Sequence, residues 1–319
     1  EENNFEEAKK LIDSAVEIGI NAVKFQTFEA ETITTKNNFF NMKNTGKISQ
    51  YELFKKCEIS KELQMEVTNY ANKKGITIFS APSHIRDLDI MEKMDLPIYK
   101  IGSDLACHIP LLKEVGKLGK PIILSTGMCS LEEIRNSVDA ILSTGNDQLI
   151  ILHCVSDYPN TPEETNLNAI LTLKKEFDLP VGFSDHNIGW SISFGAVSMG
   201  ANLIERHFRD PTNLAAPDDI VALDKEQFSS LIKSTRLVEK ARGNGIKIPT
   251  NSEKYNKITN RVSIISMEEI KAGQIITENL IDIRRPGTGI DPIHFDSIIG
   301  KKVKIDIKKE EPITFDMLE

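Results

Sequence analysis

Two histidines close two consecutive strand-like runs, Pro180-Val181-Gly182-Phe183-Ser184-Asp185-His186 and Ala201-Asn202-Leu203-Ile204-Glu205-Arg206-His207-Phe208. Trp190 to Gly200 between them is long enough for a short helix, so the unit reads strand, helix, strand. In such a unit the two strands lie parallel and adjacent, and their C-terminal ends open at the same edge of the sheet. Alternation puts Ser184 and His186 on one face, and likewise Glu205 and His207. Two imidazoles therefore arrive side by side, with Asp185 and Glu205 close by. Neutral imidazole suits zinc, manganese or iron, and acids supply further ligands or orient the rings, so the pattern predicts half of a divalent-metal site. One such histidine alone reads as a hydrogen-bonded core residue; two at equivalent positions of adjacent units read as a site.

A second group of polar residues recurs at or just past the ends of other apolar runs: Lys24, Gln26, Lys100, Ser103, Ser125, Thr126 and Ser156. Lys24 and Lys100 lie inside such runs, where desolvating an ammonium is costly; the usual reason is an anion held nearby. His153 also falls in an apolar run and reads as a core residue. Near the C-terminus, Arg284-Arg285-Pro286-Gly287-Thr288-Gly289 is a rigid turn presenting two guanidiniums, either as surface charge or as a reach into an active-site mouth.

The elements that must position these residues alternate regularly. A helix over Phe5 to Val16, with Asn4 as its cap, precedes a strand over residues 21–27. A polar stretch from Glu29 to Gln50 is too long for an ordinary connection and reads as an active-site loop. Helix–strand pairs follow: 61–74 with 76–80, 84–94 with 98–103, 110–118 with 121–127, 130–142 with 149–154, and 162–177 with the first histidine run. A helix over 225–242 ends the series. This alternation makes a parallel sheet with helices outside. Seven strands are counted where a barrel needs eight, and the first helix has no strand before it, so the expectation is a (β/α)8 TIM barrel whose first strand is absent from this chain. An open doubly wound sheet is disfavoured by the lack of a GxGxxG turn. Residues 244–257 read as a linker after a barrel domain over 1–243, and 258–319 as a small β-rich domain.

Bulk properties bound the partners. The chain has 319 residues, 40% hydrophobic and 27% charged, as in ordinary soluble proteins. A net charge of −8 argues against nucleic acid and anionic membranes as partners, while a locally basic pocket can still take a small anion. Cys57, Cys107, Cys129 and Cys154 show no paired spacing, which suits reduced thiols, and no membrane span or signal peptide is evident. The expected location is the cytoplasm.

Six segments, Ala22-Val23-Lys24-Phe25-Gln26-Thr27, Tyr99-Lys100-Ile101-Gly102-Ser103, Leu124-Ser125-Thr126-Gly127-Met128, Phe183-Ser184-Asp185-His186, Glu205-Arg206-His207-Phe208 and Arg285-Pro286-Gly287, together resemble the sialic acid synthase family, in order and over nearly the whole chain. The resemblance implies a barrel with a C-terminal antifreeze-like (SAF) domain, a domain-swapped homodimer, and condensation of phosphoenolpyruvate with an open-chain N-acetylated amino sugar to give a nonulosonic acid and phosphate. It implies that His186 and His207 bind a divalent metal, manganese by family habit, with magnesium or cobalt as substitutes, and act in catalysis with Lys100. Lys24, Lys100, Ser103, Ser125, Ser156 and Ser184 would hold phosphoenolpyruvate. Gln26, Asn44, Tyr158, Asp218 and Arg285 would contact the sugar, which is N-acetylmannosamine or a diacetamido-trideoxyhexose. Two departures stand out. The family's glutamate at the end of its first strand has no counterpart, neither Glu1 nor Glu2 being assigned that role, and Ser80-Ala81-Pro82-Ser83 lacks the threonine that neuraminate enzymes carry before the proline. The competing expectations are a metal-dependent aldolase or hydrolase on the same barrel, or a non-catalytic sugar-binding protein.

Overall fold

The computed structural model describes residues 4–42, 46–212 and 217–319, and the chain divides into two compact units, Glu1–Gly243 and Asn244–Glu319. In the first unit seven parallel strands pair in chain order: β1 (Ala22–Thr27), β2 (Thr77–Pro82), β3 (Tyr99–Ile101), β4 (Ile122–Ser125), β5 (Leu149–Cys154), β6 (Val181–Ser184) and β7 (Ile204–Glu205). The sheet is curled, so that Lys24 on β1 comes within 4.0 Å of Glu205 on β7. Among the described residues, the helices that flank the strands are α1 (Phe5–Ile18), α2 (Lys61–Lys74), α3 (Leu88–Lys93), α4 (Ile109–Lys117), α5 (Leu131–Leu142), α6 (Ala169–Phe177), α7 (Ser191–Ser198) and α8 (Lys225–Arg242), beside shorter or loop-borne helices. The first and last, α1 and α8, pack on each other and are tied by Lys225 to Glu17 at 2.5 Å and Arg236 to Asn21 at 3.3 Å. This is the TIM-barrel architecture, with the described chain supplying seven of the staves.

Local chemistry explains the elements. Asn4 caps α1 and Ser60 caps α2; Ser130 with Glu133, and Asp224 with Gln227, form reciprocal capping boxes on α5 and α8. Each cap contributes about 1 kcal/mol. Strand alternation then sorts the side chains into two layers. Tyr99, Ile101, Ile122, Leu124, Ile151, Val181 and Phe183 belong to the large core that includes helix residues such as Met91, Leu111, Val138 and Leu173. The intervening positions Phe79, Ile123 and Leu152, with Ala22, Ile98, Ile150 and Leu203 against them, form a separate cluster that floors the barrel interior. One step toward the strand ends on that same inner face come Lys24, Lys100, Ser125, Cys154, Ser184 and Glu205. The register aligns Cys154 with Ser184 and Ser184 with Glu205 as one row. Gly182 lies below that row; a Cβ there would meet the Leu203 carbonyl at 2.5 Å and Leu152 at 2.6 Å, so β5, β6 and β7 close up only around a glycine.

Several expected elements differ in detail. The segment 29–57 is not one loop: it holds a turn of helix at Ala30–Ile33, an antiparallel hairpin of Phe39–Met42 with Gly46–Ser49, and a helix Gln50–Cys57 capped by Ser49. The expected helix over 162–177 is two, Pro162–Thr165 and α6, parted by Asn166 in the left-handed conformation at φ 47°. The strand expected over 201–208 shortens to β7, although Phe208 still bridges to Leu223.

The second unit pairs β8 (Ser263–Ser266) with β9 (Ile281–Arg284) and adds single bridges such as Ile265 to Pro312 and Val303 to Leu318. Ten buried aliphatic residues, among them Ile264, Ile276, Ile290, Val303 and Ile313, make its own core. Within the interdomain stretch, residues 251–259 are a turn of 3-10 helix followed by helix Lys254–Thr259.

Candidate active site

The centre of the barrel mouth is a buried ion cluster. Lys100 is 3% exposed; its Nζ donates to Ser125 Oγ at 2.6 Å and to the Ile101 carbonyl at 3.0 Å, and lies 3.7 Å from Glu205. Lys24 reaches the other oxygen of the same carboxylate at 4.0 Å, and Ser184 Oγ donates to Glu205 at 2.9 Å. Burial by itself would raise the Glu205 pKa; Lys100, Lys24, the Ser184 hydroxyl and His207 outweigh it and hold the carboxyl at about 2. Burial lowers the Lys100 pKa, opposed by Glu205 and reinforced by Lys24. Two ammoniums thus share one carboxylate on the barrel interior, an arrangement with positive charge to spare for an anion.

Beside it stand the two histidines. The rings of His186 and His207 are 5.5 Å apart between centroids, and Tyr158 lies against both, at 4.1 Å and 5.8 Å. His186 Nδ1 donates to the Val155 carbonyl at 2.7 Å, which fixes its tautomer and leaves Nε2 as the unprotonated nitrogen. Burial, with His207 adding to it and Val155 opposing, brings the His186 pKa down to about 4. His207 falls to about 4 for the same first reason, with Lys24 contributing. Its Nδ1 is 3.5 Å from Asp218, whose own carboxyl is raised by burial. Both imidazoles are therefore neutral near pH 7, the form that binds metal. Among the described residues no group of three or more His, Cys, Asp and Glu side chains could hold a metal ion, and the two imidazoles stand as a pair.

The remaining expected residues fall into three groups. Ser125 and Ser184 join the ion cluster directly, whereas Ser103 and Ser156 sit one loop away. Ser103 Oγ accepts the Gly127 N–H at 2.9 Å, and a side chain on Gly127 would overlap both serine hydroxyls, so these loops approach through a glycine. Gln26 is on β1 and exposed. Arg285 is exposed in the second unit, next to the cis Arg285–Pro286 peptide, while its neighbour Arg284 is paired with Asp282 at 2.8 Å. Asn44 lies outside the described residues.

Two acids exchange the importance expected of them. Asp185 does not face the imidazoles; alternation turns it to the opposite side of β6, where Arg206, Asn187 and Ser193 hold its carboxylate. Glu205, expected as a possible ligand or ring orienter, instead faces both lysines. Its position two residues before His207 was the signal for that, since both must share a face. His153 lies outside the site, stacked on Phe183 and bonded to the Thr165 carbonyl at 2.7 Å.

Comparisons with known proteins identify the family. The NeuB family description matches residues 11–247 and the SAF domain description matches residues 261–319. An uncharacterised protein of Methanocaldococcus jannaschii is 39% identical over 97% of this chain and 89% of its own. The N,N'-diacetyllegionaminic acid synthase of Campylobacter jejuni is 36% identical over 96% of this chain and 93% of its own. Among solved structures, the N-acetylneuraminic acid synthetase of Leptospira borgpetersenii, in complex with citrate, aligns with a TM-score of 0.72 at 31% identity, covering 80% of this chain and 85% of that one. On the match over most of its length, the chain belongs to the NeuB family of sialic acid-type synthases and carries a C-terminal SAF domain.

Proposed function

We propose that this enzyme condenses phosphoenolpyruvate with an open-chain N-acetylated amino sugar, giving a nonulosonic acid and inorganic phosphate. The observation that carries the reading is the Lys24–Glu205–Lys100 cluster lying in one mouth with two neutral imidazoles. The carbon–carbon bond forms between C3 of phosphoenolpyruvate and the sugar aldehyde carbon, and water enters at C2 as phosphate departs. Lys100 and Lys24, with Ser125 and Ser184, bind the carboxylate and phosphate of phosphoenolpyruvate, and Ser103 and Ser156 extend that anion site. Glu205, ionised at working pH, orients the two ammoniums before substrate arrives. Tyr158, Asp218 and Gln26 line the sugar side, to which Asn44 is also assigned.

The residues present fit a divalent cation, manganese first and magnesium or cobalt as substitutes, with His186 and His207 as its protein ligands. When bound, such a cation supplies Lewis-acid polarisation of the aldehyde oxygen. The sugar proposed is a diacetamido-trideoxyhexose, by similarity to the Campylobacter synthase, ahead of N-acetylmannosamine. The proposed domains are a catalytic barrel over 1–243, a linker over 244–257 and the SAF domain over 258–319, in a homodimer where Arg285 of the partner subunit contacts the acetamido group. The cytoplasm, where thiols stay reduced, is the proposed location; no disulfide joins the cysteines among the described residues.

The test is phosphate release with phosphoenolpyruvate and each sugar in turn. Release is expected only with both substrates, abolished by a chelator and by His186→Ala, and restored to the wild type by added manganese. Cleavage without phosphate release would replace this reading by an aldolase or hydrolase. Sugar binding independent of phosphoenolpyruvate, with no turnover, would replace it by a binding protein.

A further inference from the structure

The outer side of the two histidine-bearing strand ends holds a buried ion pair. Arg206 Nη1 lies 2.9 Å from Asp185 Oδ1, and both side chains are fully buried. These residues immediately precede His207 and His186, so the pair couples the two segments on the side away from the mouth. Its hydrogen bonds spread outward. Arg206 Nη2 donates to the carbonyls of Asn187 and Val221, each at 2.9 Å. Asp185 Oδ1 accepts from the Asn187 backbone N–H at 2.9 Å and its side-chain amide at 2.8 Å, and Oδ2 accepts from Ser193 on α7 at 2.6 Å. Thr165 Oγ1 then donates to Asn187 Oδ1 at 3.1 Å and accepts from Asn160 at 2.9 Å, while the Asn160 backbone N–H donates to the His186 carbonyl at 3.3 Å.

Each end of this network lies next to a site residue. Asn160 is two residues from Tyr158, Asp185 adjoins His186, Arg206 adjoins His207, and Val221 is three residues from Asp218. None of the network residues is among those assigned to substrate or cation; what they share is the backbone that carries the assigned groups. A buried pair of this kind is a poor source of net stability, because desolvating two charges offsets their attraction. Its geometric demands are strict, however, since a fully buried guanidinium with one terminal nitrogen bonded to two carbonyls and the other against a carboxylate tolerates little displacement.

We propose that the Arg206–Asp185 pair is a positioning unit that sets the separation of His186 and His207 and registers the Tyr158 and Asp218 loops against them. The inference rests on the reading of His186 and His207 as cation ligands. Outer groups that orient metal ligands typically cost 10- to 100-fold in metal affinity when lost.

The test uses full-length protein with three substitutions: Asp185→Asn, the paired apolar replacement Asp185→Leu with Arg206→Met, and Ser193→Ala. The paired replacement leaves no buried charge uncompensated, and Ser193→Ala removes one hydrogen bond while keeping the ion pair. Manganese affinity is measured by titration of the free ion's paramagnetic resonance, beside the melting temperature without metal and the split of kcat and KM for the sugar. The expected result is a tenfold or greater loss of manganese affinity in the paired replacement and a smaller loss in Ser193→Ala, with lower kcat, at a melting temperature close to wild type. Manganese affinity within twofold of wild type in any folded pair variant overturns the proposal. So does loss of folding by both pair variants while Ser193→Ala binds manganese as wild type does, because the pair would then serve folding alone. Wild type that binds no manganese, cobalt or magnesium would instead sink the underlying assignment of the two histidines.

Discussion

Lys100 and Glu205 show how much one strand position decides. An ammonium only 3% exposed survives because Ser125, the Ile101 carbonyl and Glu205 surround it. Lys100→Met keeps the length of the side chain and removes its charge. Losing hydrogen bonds from a charged donor costs about 1.5–3 kcal/mol, or roughly 10- to 150-fold in kcat/KM for phosphoenolpyruvate. Steady-state kinetics check this, and an unchanged kcat/KM would remove Lys100 from the anion site. His153 gives a separate prediction about stability. Burial holds its pKa below the ordinary ~6.5, with the Thr165 carbonyl partly opposing. Above that pH both folded and unfolded chains carry it neutral. As pH falls below ~6.5 the unfolded chain takes up a proton that the folded one resists, so stability declines. His153→Phe starts about 1 kcal/mol less stable, having left the Thr165 carbonyl without its donor, but its decline on acidification is shallower. Urea midpoints from pH 7.5 to 5 measure both slopes; parallel slopes would clear His153 of any part in the acid response.

At the scale of elements, inward and outward layers are produced by a period of two. Gly182→Ala forces a methyl against the Leu203 carbonyl and Leu152, where β6 is hemmed in on both sides. Overpacking of this kind costs about 1–3 kcal/mol. The variant should melt several degrees lower, whereas Ser130→Ala, which loses only a helix cap, costs about 1 kcal/mol and spares activity. A Gly182→Ala melting temperature equal to wild type would mean the strands can part there. The extents of α2, α8 and β5 were legible in the sequence because caps and periodicity agree in each. The break at Asn166 was not, because apolar spacing continues on both sides of it and only a local left-handed turn interrupts the helix. The hairpin of Phe39–Met42 with Gly46–Ser49 was equally hidden, its strands being only four residues each. Within the site, both histidines and both lysines were visible as costly residues in apolar runs. Glu205 was undervalued, since a carboxylate beside a histidine suggests a ligand until its lysine partners are seen across the barrel. Asp185 was misplaced for the opposite reason: its partner Arg206 is twenty-one positions away, and the pairing appears only when the two strands lie together.

At the scale of the whole molecule, two compact units each have their own apolar core, one between sheet and helices and one of aliphatic residues in the SAF domain. The proposed dimer gives Arg285 a function that its own exposed turn does not explain. Arg285→Ala should raise KM for the amino sugar at least tenfold while leaving KM for phosphoenolpyruvate within about twofold, since truncating a charged recognition group costs about 1.5–3 kcal/mol. Light scattering of the wild type should give twice the chain mass. Equal effects on both substrates, or a monomer that turns over normally, would leave that arginine a surface charge.

Glu205 also changes what the barrel mouth offers to the surrounding solution. Two lysines facing one carboxylate leave a surplus of a single positive charge, so a stray chloride gains little by entering and would have to shoulder aside an anion tethered to the wall. A visitor with several negative charges and the correct span can engage both ammoniums at once and outbid that tenant. On the proposed reaction, selectivity against abundant small ions would precede sugar recognition, and exchanging the carboxylate for an amide should make common buffer anions into inhibitors.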